Sequence, residues 1–205
     1  MKRTLDHNIY FDTATDYVLE NDRVLMRPLQ YNDLTNLETF SINEPRIWSY
    51  SLTSAAGIEN MKQYISTAIE GRVAGVDYPF IVFDKKQERY AGSTRFYDIQ
   101  KYHKTTQLGY TWYGSDFQGT GLNKNCKFLM LEFAFEKMHV ERVEFRADNR
   151  NERSIAAMKS IGAIQEGVLR SNCKGILDRR DSIILSILKE DWFEGVKTSL
   201  QQRIV

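Results

Sequence analysis

An aromatic strand, a short glycine-containing turn and a helix follow one another between Leu108 and Met138. The strand reads Leu-Gly-Tyr-Thr-Trp-Tyr, and the turn reads Phe-Gln-Gly-Thr-Gly-Leu-Asn-Lys. A glycine turn that opens a helix directs several backbone N–H groups at one point, where the helix dipole adds partial positive charge. The segment therefore predicts a strand and a helix that meet at a phosphate-binding turn.

Three phosphate-binding turns could use this segment, and an ordinary strand-to-helix turn is a fourth interpretation. The nucleotide triphosphate loop needs a lysine and a hydroxyl residue, but Thr120 and Gly121 occupy those positions. The dinucleotide fingerprint needs a third glycine, which Lys124 replaces. The pyrophosphate loop of acyl-coenzyme A transferases, Gln/Arg-x-x-Gly-x-Gly/Ala, matches at Gln118 and Gly121 and departs at Asn123.

A second segment, Asn151 to Ala163, starts a helix at an Asn and ends it at a Gly, as helix capping prefers. Together with the turn, this segment resembles the GNAT superfamily of N-acetyltransferases, in which an Asn after the fifth strand opens a helix. The branch of the ribosomal-protein N-terminal acetyltransferases is the most similar, through its Asn-x-x-Ser helix start and the strand at 142–148. The resemblance covers roughly residues 21–188.

The resemblance implies an α+β fold in which a mixed, mostly antiparallel, twisted sheet of about seven strands carries about four helices. The residue pattern agrees, because a three-strand meander between 78 and 113 precedes alternating helices and strands. Two closing strands are expected at 164–171 and 181–188.

We expect three parts along the chain. These are an N-terminal extension at 1–20, an N-acetyltransferase domain at 21–190 and a C-terminal helical tail at 191–205. The 205 residues and 42% hydrophobic content are sufficient for one domain with a real core.

Composition also excludes several classes of protein. The formal charge of +1 argues against a duplex DNA binder. Two cysteines and three scattered histidines predict neither a disulfide framework nor a metal site. The N-terminus lacks the pattern of a signal peptide, and no apolar run reaches the about eighteen residues of a membrane span. We therefore expect a cytoplasmic protein without a membrane partner.

The resemblance implies acetyl-CoA as co-substrate. In the family, the fourth strand splays from the fifth, and its open edge pairs with the pantetheine amides. Alternation puts Tyr110 and Trp112 on one face, where filling the core is the alternative role. Asn151 would hydrogen-bond the pantetheine arm, although a plain helix cap also explains it. The implied cofactor-binding residues are Tyr110, Trp112, Tyr113, Gln118, Gly119, Thr120, Gly121, Leu122, Asn123, Lys124, Asn151 and Ser154.

Acetylation of an amine needs a free amine, an oxyanion donor and an acid for the departing thiolate. Many members of the family use a Tyr on the helix after the fifth strand as this acid, and Met158 occupies that position. Glu144 lies where some members carry a base and is the candidate catalytic residue, although it could instead pair with Arg146 on the same face. Candidate residues of the acceptor side are Trp48, Tyr50, Arg95 and Tyr97.

The sequence thus predicts an acetyl-CoA-dependent N-acetyltransferase that transfers acetyl directly to an amine in a ternary complex. The acceptor is either a protein N-terminus or a small amine, and a homodimer is left open. Two other functions also stay open. One is a non-catalytic acyl-CoA-binding or sensor protein, which Met158 in place of the usual acid leaves open. The other is a nucleotide-binding oxidoreductase, which Lys124 and the presence of one clear strand-turn-helix unit disfavour.

Overall fold

A computed structural model of the protein describes residues 11–176 and 178–204. An eight-stranded sheet forms its centre, with strand order β1-β2-β3-β4-β5-β6-β8-β7. Its strands are β1 (Leu19–Glu20), β2 (Val24–Pro28), β3 (Tyr78–Asp84), β4 (Arg89–Gln100), β5 (Thr105–Tyr113), β6 (Arg142–Asp148), β7 (Ile164–Lys174) and β8 (Arg179–Leu188). All neighbouring strands are antiparallel except β5 and β6, which are parallel. The predicted mixed, mostly antiparallel sheet is confirmed.

Two details of the sheet differ from the prediction. The eighth strand is the two-residue β1, which lies within the predicted N-terminal extension. The closing strands β7 and β8 are longer than expected, since Cys173 pairs with Arg180 and Lys174 with Arg179. These polar residues carry no apolar alternation, so their strand character comes from backbone pairing alone. Residues 1–10 of the predicted extension lie outside the described residues.

Five helices cover the sheet in the described part of the chain. On one face lie α1 (Leu34–Asn43) and α2 (Ile58–Val73), which bury Leu37, Met61 and Ile65. On the other lie α3 (Leu122–Glu132, extended by a π-helical turn, Phe133–Lys137), α4 (Glu152–Ser160) and the C-terminal helix α5. Helix α5 consists of Lys189–Asp191, a π-helical turn at Trp192–Val196, and Lys197–Gln201. None of these helices is long and apolar enough to span a membrane.

The core has one layer on each face of the sheet. Alternation along β3 sends Phe80 toward the α3 layer and Ile81 toward the α1–α2 layer. Helix α5 belongs to the α3 layer, because Trp192 is fully buried and stacks at 5.7 Å on Phe135. Its indole N–H also donates to Glu136 at 2.9 Å. The domain boundaries at 20 and 190 stay a prediction.

Strands β5 and β6 are unpaired along more than half of their length. In the described residues, their pairing starts with Thr105 opposite Arg142 and ends with Gln107 opposite Glu144. Beyond Gln107, the backbone edges of 108–113 on β5 and 145–148 on β6 enclose an opening, which we call the β5–β6 gap. The expected splayed strand edge is therefore present.

A β-bulge accompanies the gap. Arg95 pairs with Gly109 and Ser93 with Trp112, so β5 carries one extra residue opposite β4. Tyr110 lies in this bulge and has a left-handed backbone conformation, with φ of 47°. A bulge bends its strand, which carries β5 away from β6. Gly92 permits this close approach, because a Cβ there would lie 2.1 Å from the carbonyl oxygen of Trp112.

Candidate active site

The glycine turn connects the end of β5 to the start of α3. Gly119 and Gly121 have φ of 78° and 88°, which glycine adopts without strain. A Cβ on either residue would meet nothing within 4 Å, so the turn is open to a ligand. Within the described residues, no hydrogen bond uses the N–H of Gly119, Thr120 or Gly121. These donors, together with the N-terminus of α3, form a cradle suited to a pyrophosphate.

The side chains around the turn hold it in place. Thr120 donates its hydroxyl to the Phe117 carbonyl at 2.8 Å. Gln118 bridges two elements: its amide donates to the Tyr113 carbonyl at 2.7 Å, and its oxygen accepts from Arg153 on α4. Arg153 thus brings a cation to the cradle that the sequence analysis missed. Of the remaining candidates in the turn, Leu122 is buried, and Asn123 and Lys124 are partly exposed.

Helix α4 begins on the other side of the β5–β6 gap. The side-chain oxygen of Asn151 accepts the Ser154 N–H at 3.1 Å, which is the expected helix cap. Both residues are partly exposed at this end of β6. Their contacts with a cofactor stay a prediction.

The three aromatic candidates of β5 lie in different environments. Trp112 is buried among α1–α2 residues and lies 5.2 Å from Trp48 between ring centroids. Tyr113 is buried in the α3 layer. Only Tyr110, at the bulge, keeps a sizeable exposed fraction, 37%. In this structure, Trp112 and Tyr113 can therefore offer their backbone, rather than their side chain, to a ligand in the gap.

Arg95 holds Tyr110 in position. Its guanidinium lies 4.0 Å from the Tyr110 ring centroid and donates to Asp77 at 3.0 Å. Tyr97 packs edge-on against Tyr110 at 5.1 Å. Burial is the main cause that raises the pKa of both phenols, so they stay protonated near neutral pH and can donate hydrogen bonds.

A cavity of about 280 Å³ lies beyond the end of β6. Tyr50, which is 45% exposed, and Ser49 form one wall. Four charged residues also line the cavity: Asp148, Arg150, Asp178 and Arg180. We call this space the Arg180 cavity. A larger cavity of about 430 Å³ lies between α4 and α5, away from the gap.

Comparison with known proteins identifies the family. The model of the acetyltransferase (GNAT) domain matches residues 23–164, more than half of the chain. The chain belongs to the GNAT family of acetyltransferases. It is therefore an acetyltransferase enzyme, which removes the oxidoreductase alternative.

Individual relatives agree with this family. YdaF of Bacillus subtilis, whose name is that of a ribosomal N-acetyltransferase, is 28% identical over 106 residues, 52% of this chain and 57% of that protein. The B. subtilis protein named as the probable N-acetyltransferase YjcK is 25% identical over 85% of this chain and 98% of its own length. The structure of Mycobacterium smegmatis RimJ in complex with CoA-disulfide has a TM-score of 0.77 at 16% identity, covering 91% of this chain and 93% of that one. At this low identity, the similarity to RimJ shows a shared fold.

Glu144, the candidate base on β6, is held by two arginines. Its carboxylate accepts from Arg142 at 2.8 Å and from Arg146 at 2.6 Å, which confirms the alternative pairing. Val143 and Phe145 are buried in the α3 layer, so Glu144 faces the opposite, α1–α2 side of the sheet, as expected. A role as base would require an amine to compete with two guanidinium groups, and it stays a prediction.

Met158 is buried in the α3-side core, 7% exposed. A thioether cannot donate a proton, so Met158 itself cannot be the acid, and its alignment with the usual tyrosine of the family stays a prediction. No group of three or more His, Cys, Asp or Glu side chains in the described residues is arranged to hold a metal ion.

Helix α3 carries a buried lysine, Lys127, that is not among the residues singled out from the sequence. It is 6% exposed, and its ammonium donates to the Thr111 hydroxyl of β5 at 2.8 Å. Burial lowers the pKa of Lys127 to about 7. The helical spacing held a signal, since Met130 and Leu131, three and four residues later, are apolar and buried.

Proposed function

We propose that the enzyme binds acetyl-CoA and transfers the acetyl group directly to an amine in a ternary complex. One arrangement carries the proposal: the open glycine turn, with free N–H donors, lies at the same end of β5 as the β5–β6 gap. A molecule with a pyrophosphate at one end and a peptide-like arm at the other matches this pair of features. The residues present therefore fit acetyl-CoA as co-substrate.

The residues divide the binding work between three places. The turn N–H groups and the α3 N-terminus would bind the pyrophosphate, with Lys124 and Arg153 nearby. The backbone N–H and C=O groups on the open edge of 108–113 would form hydrogen bonds with the pantetheine amides, which would lie there as an added strand does. Asn151 would contact the same arm from the β6 side.

The chemistry requires the acceptor nitrogen to lose two protons. An ammonium loses the first before it attacks the thioester carbonyl, and the nitrogen loses the second as the amide forms; Glu144 or a water molecule would take them. The new C–N bond then forms while the C–S bond breaks, and the sulfur leaves as thiolate. The pKa of the coenzyme A thiol is near the ordinary range of cysteine, so the thiolate can leave without an acid at neutral pH. The Tyr110 phenol at the bulge, which its raised pKa keeps protonated, is a candidate hydrogen-bond donor to the leaving sulfur.

The acceptor is an amine, either of a protein N-terminus or of a small molecule. The similarity to YdaF, named as a ribosomal N-acetyltransferase, supports the first of these. The cytoplasmic location and the homodimer stay predictions.

A thermal-shift series tests the proposal. Acetyl-CoA at about a hundred times its Kd should stabilise the protein by ~2.7 kcal/mol, whereas NADH and ATP–magnesium should not. Release of free coenzyme A thiol in the presence of an amine panel should then show turnover. Binding without thiol release on any amine would favour the sensor alternative, and a shift with NADH but none with acetyl-CoA would sink the proposal.

A further inference from the structure

Arg180 is a buried arginine without an acidic partner. It is 6% exposed, and its Nε donates to the Ser182 hydroxyl at 3.1 Å. Among the described residues, no carboxylate oxygen lies within 4.0 Å of its guanidinium. Burial of an unpaired guanidinium is unfavourable unless an anion or several hydrogen bonds compensate it. The cation at this position therefore lacks the partner that its burial requires.

The other charges of the Arg180 cavity satisfy one another. Arg150 donates to Asp148 at 2.8 Å and to Asp178 at 2.9 Å. The hydrogen bond from the Arg150 side chain, with the charge of Arg180 as a smaller cause, lowers the pKa of Asp148, which stays ionised. Asp148 is thus near Arg180 but already occupied by Arg150. Arg180 is the cation that is left to bind an incoming anion.

The cavity lies beside the reaction centre. Arg180 is two residues before Ser182, which pairs with Asp148 at the end of β6. Two-residue steps along β8 put Arg180 on the same face of the sheet as Ser182 and Ser186, which pair with Asp148 and Glu144. This is the α1–α2 side, and the Tyr110 ring at the bulge lies on the same side, because Arg95 contacts both it and Tyr64 of α2. An acceptor in the cavity would therefore lie next to the bulge, where the acetyl group is expected.

The size of the cavity sets a limit on the acceptor. Its volume of about 280 Å³ is just below the range of roughly 300–1,000 Å³ that is typical of small-molecule sites. It is therefore suited to one or two residues of a peptide or to an amine of the size of an amino acid.

We propose that Arg180 binds a carboxylate of the acceptor, so that the substrate class is an amine with a carboxylate on the same molecule. This inference rests on the proposed acetyl transfer. The carboxylate has two sources that share this chemistry. One is a small amino-acid-like amine, and the other is a peptide N-terminus with an acidic residue close behind it.

The experiment uses the full chain and matched pairs of acceptors. Short peptides with Asp or Glu at the second position are compared with the same peptides carrying Asn or Gln, and amino acids with their carboxamides. We expect kcat/KM at least about ten-fold higher for the carboxylate member of a pair, the strength of one charge-assisted hydrogen bond. Turnover of the peptides or of the amino acids tells which source is used.

Two variants assign the preference to Arg180. Arg180→Met should abolish the preference for carboxylate acceptors by raising their KM, and Arg180→Lys should retain part of that preference. The KM for acetyl-CoA should be unchanged in both variants. Arg170→Met, at an exposed position of β7, is the matched control and should keep the preference. Circular dichroism checks that each variant folds.

Calorimetry of the wild-type protein with the same pairs gives a readout that needs no turnover. If wild-type protein binds and acetylates both members of each pair equally, or if a folded Arg180→Met protein keeps the preference, the inference is overturned. If acetyl-CoA neither binds nor reacts while the carboxylate pairs still bind differently, the proposed function fails and the Arg180 site stands.

Discussion

The buried Lys127 should make the stability of the protein depend on pH in a way that one substitution removes. Its pKa is lowered from an ordinary 10.5 to about 7 by burial, and Cys126 opposes this only in part. Between those two values the unfolded chain carries a proton on Lys127 that the folded protein lacks. The free energy of unfolding therefore rises with pH in this window, and the penalty for burying the charge is fully present below pH 7.

The size of the effect follows from the shift. Each pKa unit corresponds to about 1.4 kcal/mol, so the window from pH 7 to pH 9 contributes about 2–3 kcal/mol. Lys127→Met keeps a long unbranched side chain in the same space and removes the titration. From pH 7 to pH 9, the free energy of unfolding of the wild type should therefore rise by about 2–3 kcal/mol relative to that of Lys127→Met. At pH 6, the comparison should be the most favourable to the variant.

The measurement is urea unfolding of both proteins at pH 6, 7, 8 and 9. The series stops at pH 9 because Cys126, whose pKa burial raises to about 12, acts in the opposite direction above its ordinary value of 9.0. Lys62→Met on α2, where the lysine side chain is 51% exposed, is the control and should follow the wild-type curve. Parallel curves for wild type and Lys127→Met would refute the claim that Lys127 is buried with a lowered pKa.

Three further predictions test the site. Gly121→Val should cripple acetyl-CoA binding without unfolding the protein, because a branched residue strains a φ of 88° and obstructs the turn; an unchanged Kd by calorimetry would show that the turn is only structural. Glu144→Gln should lower kcat more than it raises the KM for acetyl-CoA, and full turnover with an unaltered pH–rate profile would exclude Glu144 as the base. Met158→Leu conserves volume and should cost less than about 1.5 kcal/mol and little activity, so a large loss of kcat in a folded variant would reveal an unrecognised role.

Local patterns in the sequence predicted much of the fold. The glycine turn, the Asn151 cap and the apolar stripe of α3 depend on residues within a few positions of one another, and the structure contains all three. The alternation of β6, which puts Glu144 opposite Val143 and Phe145, is local in the same sense. The ends of β7 and β8 were misjudged because their polar residues are paired by the backbone of a partner strand.

The sequence by itself determined the order of the elements, the glycine turn and the family, since backbone torsions, helix caps and side-chain periodicity are set by near neighbours. Only the tertiary structure decided how β5 bends at Tyr110, because one extra residue acts as a bulge only against the register of β4. It also decided that Lys127 is enclosed and that Arg180 is left without a counter-ion. Both depend on residues distant along the chain, and the packing of the whole fold, rather than any local preference, determines which charges are removed from water and which find partners.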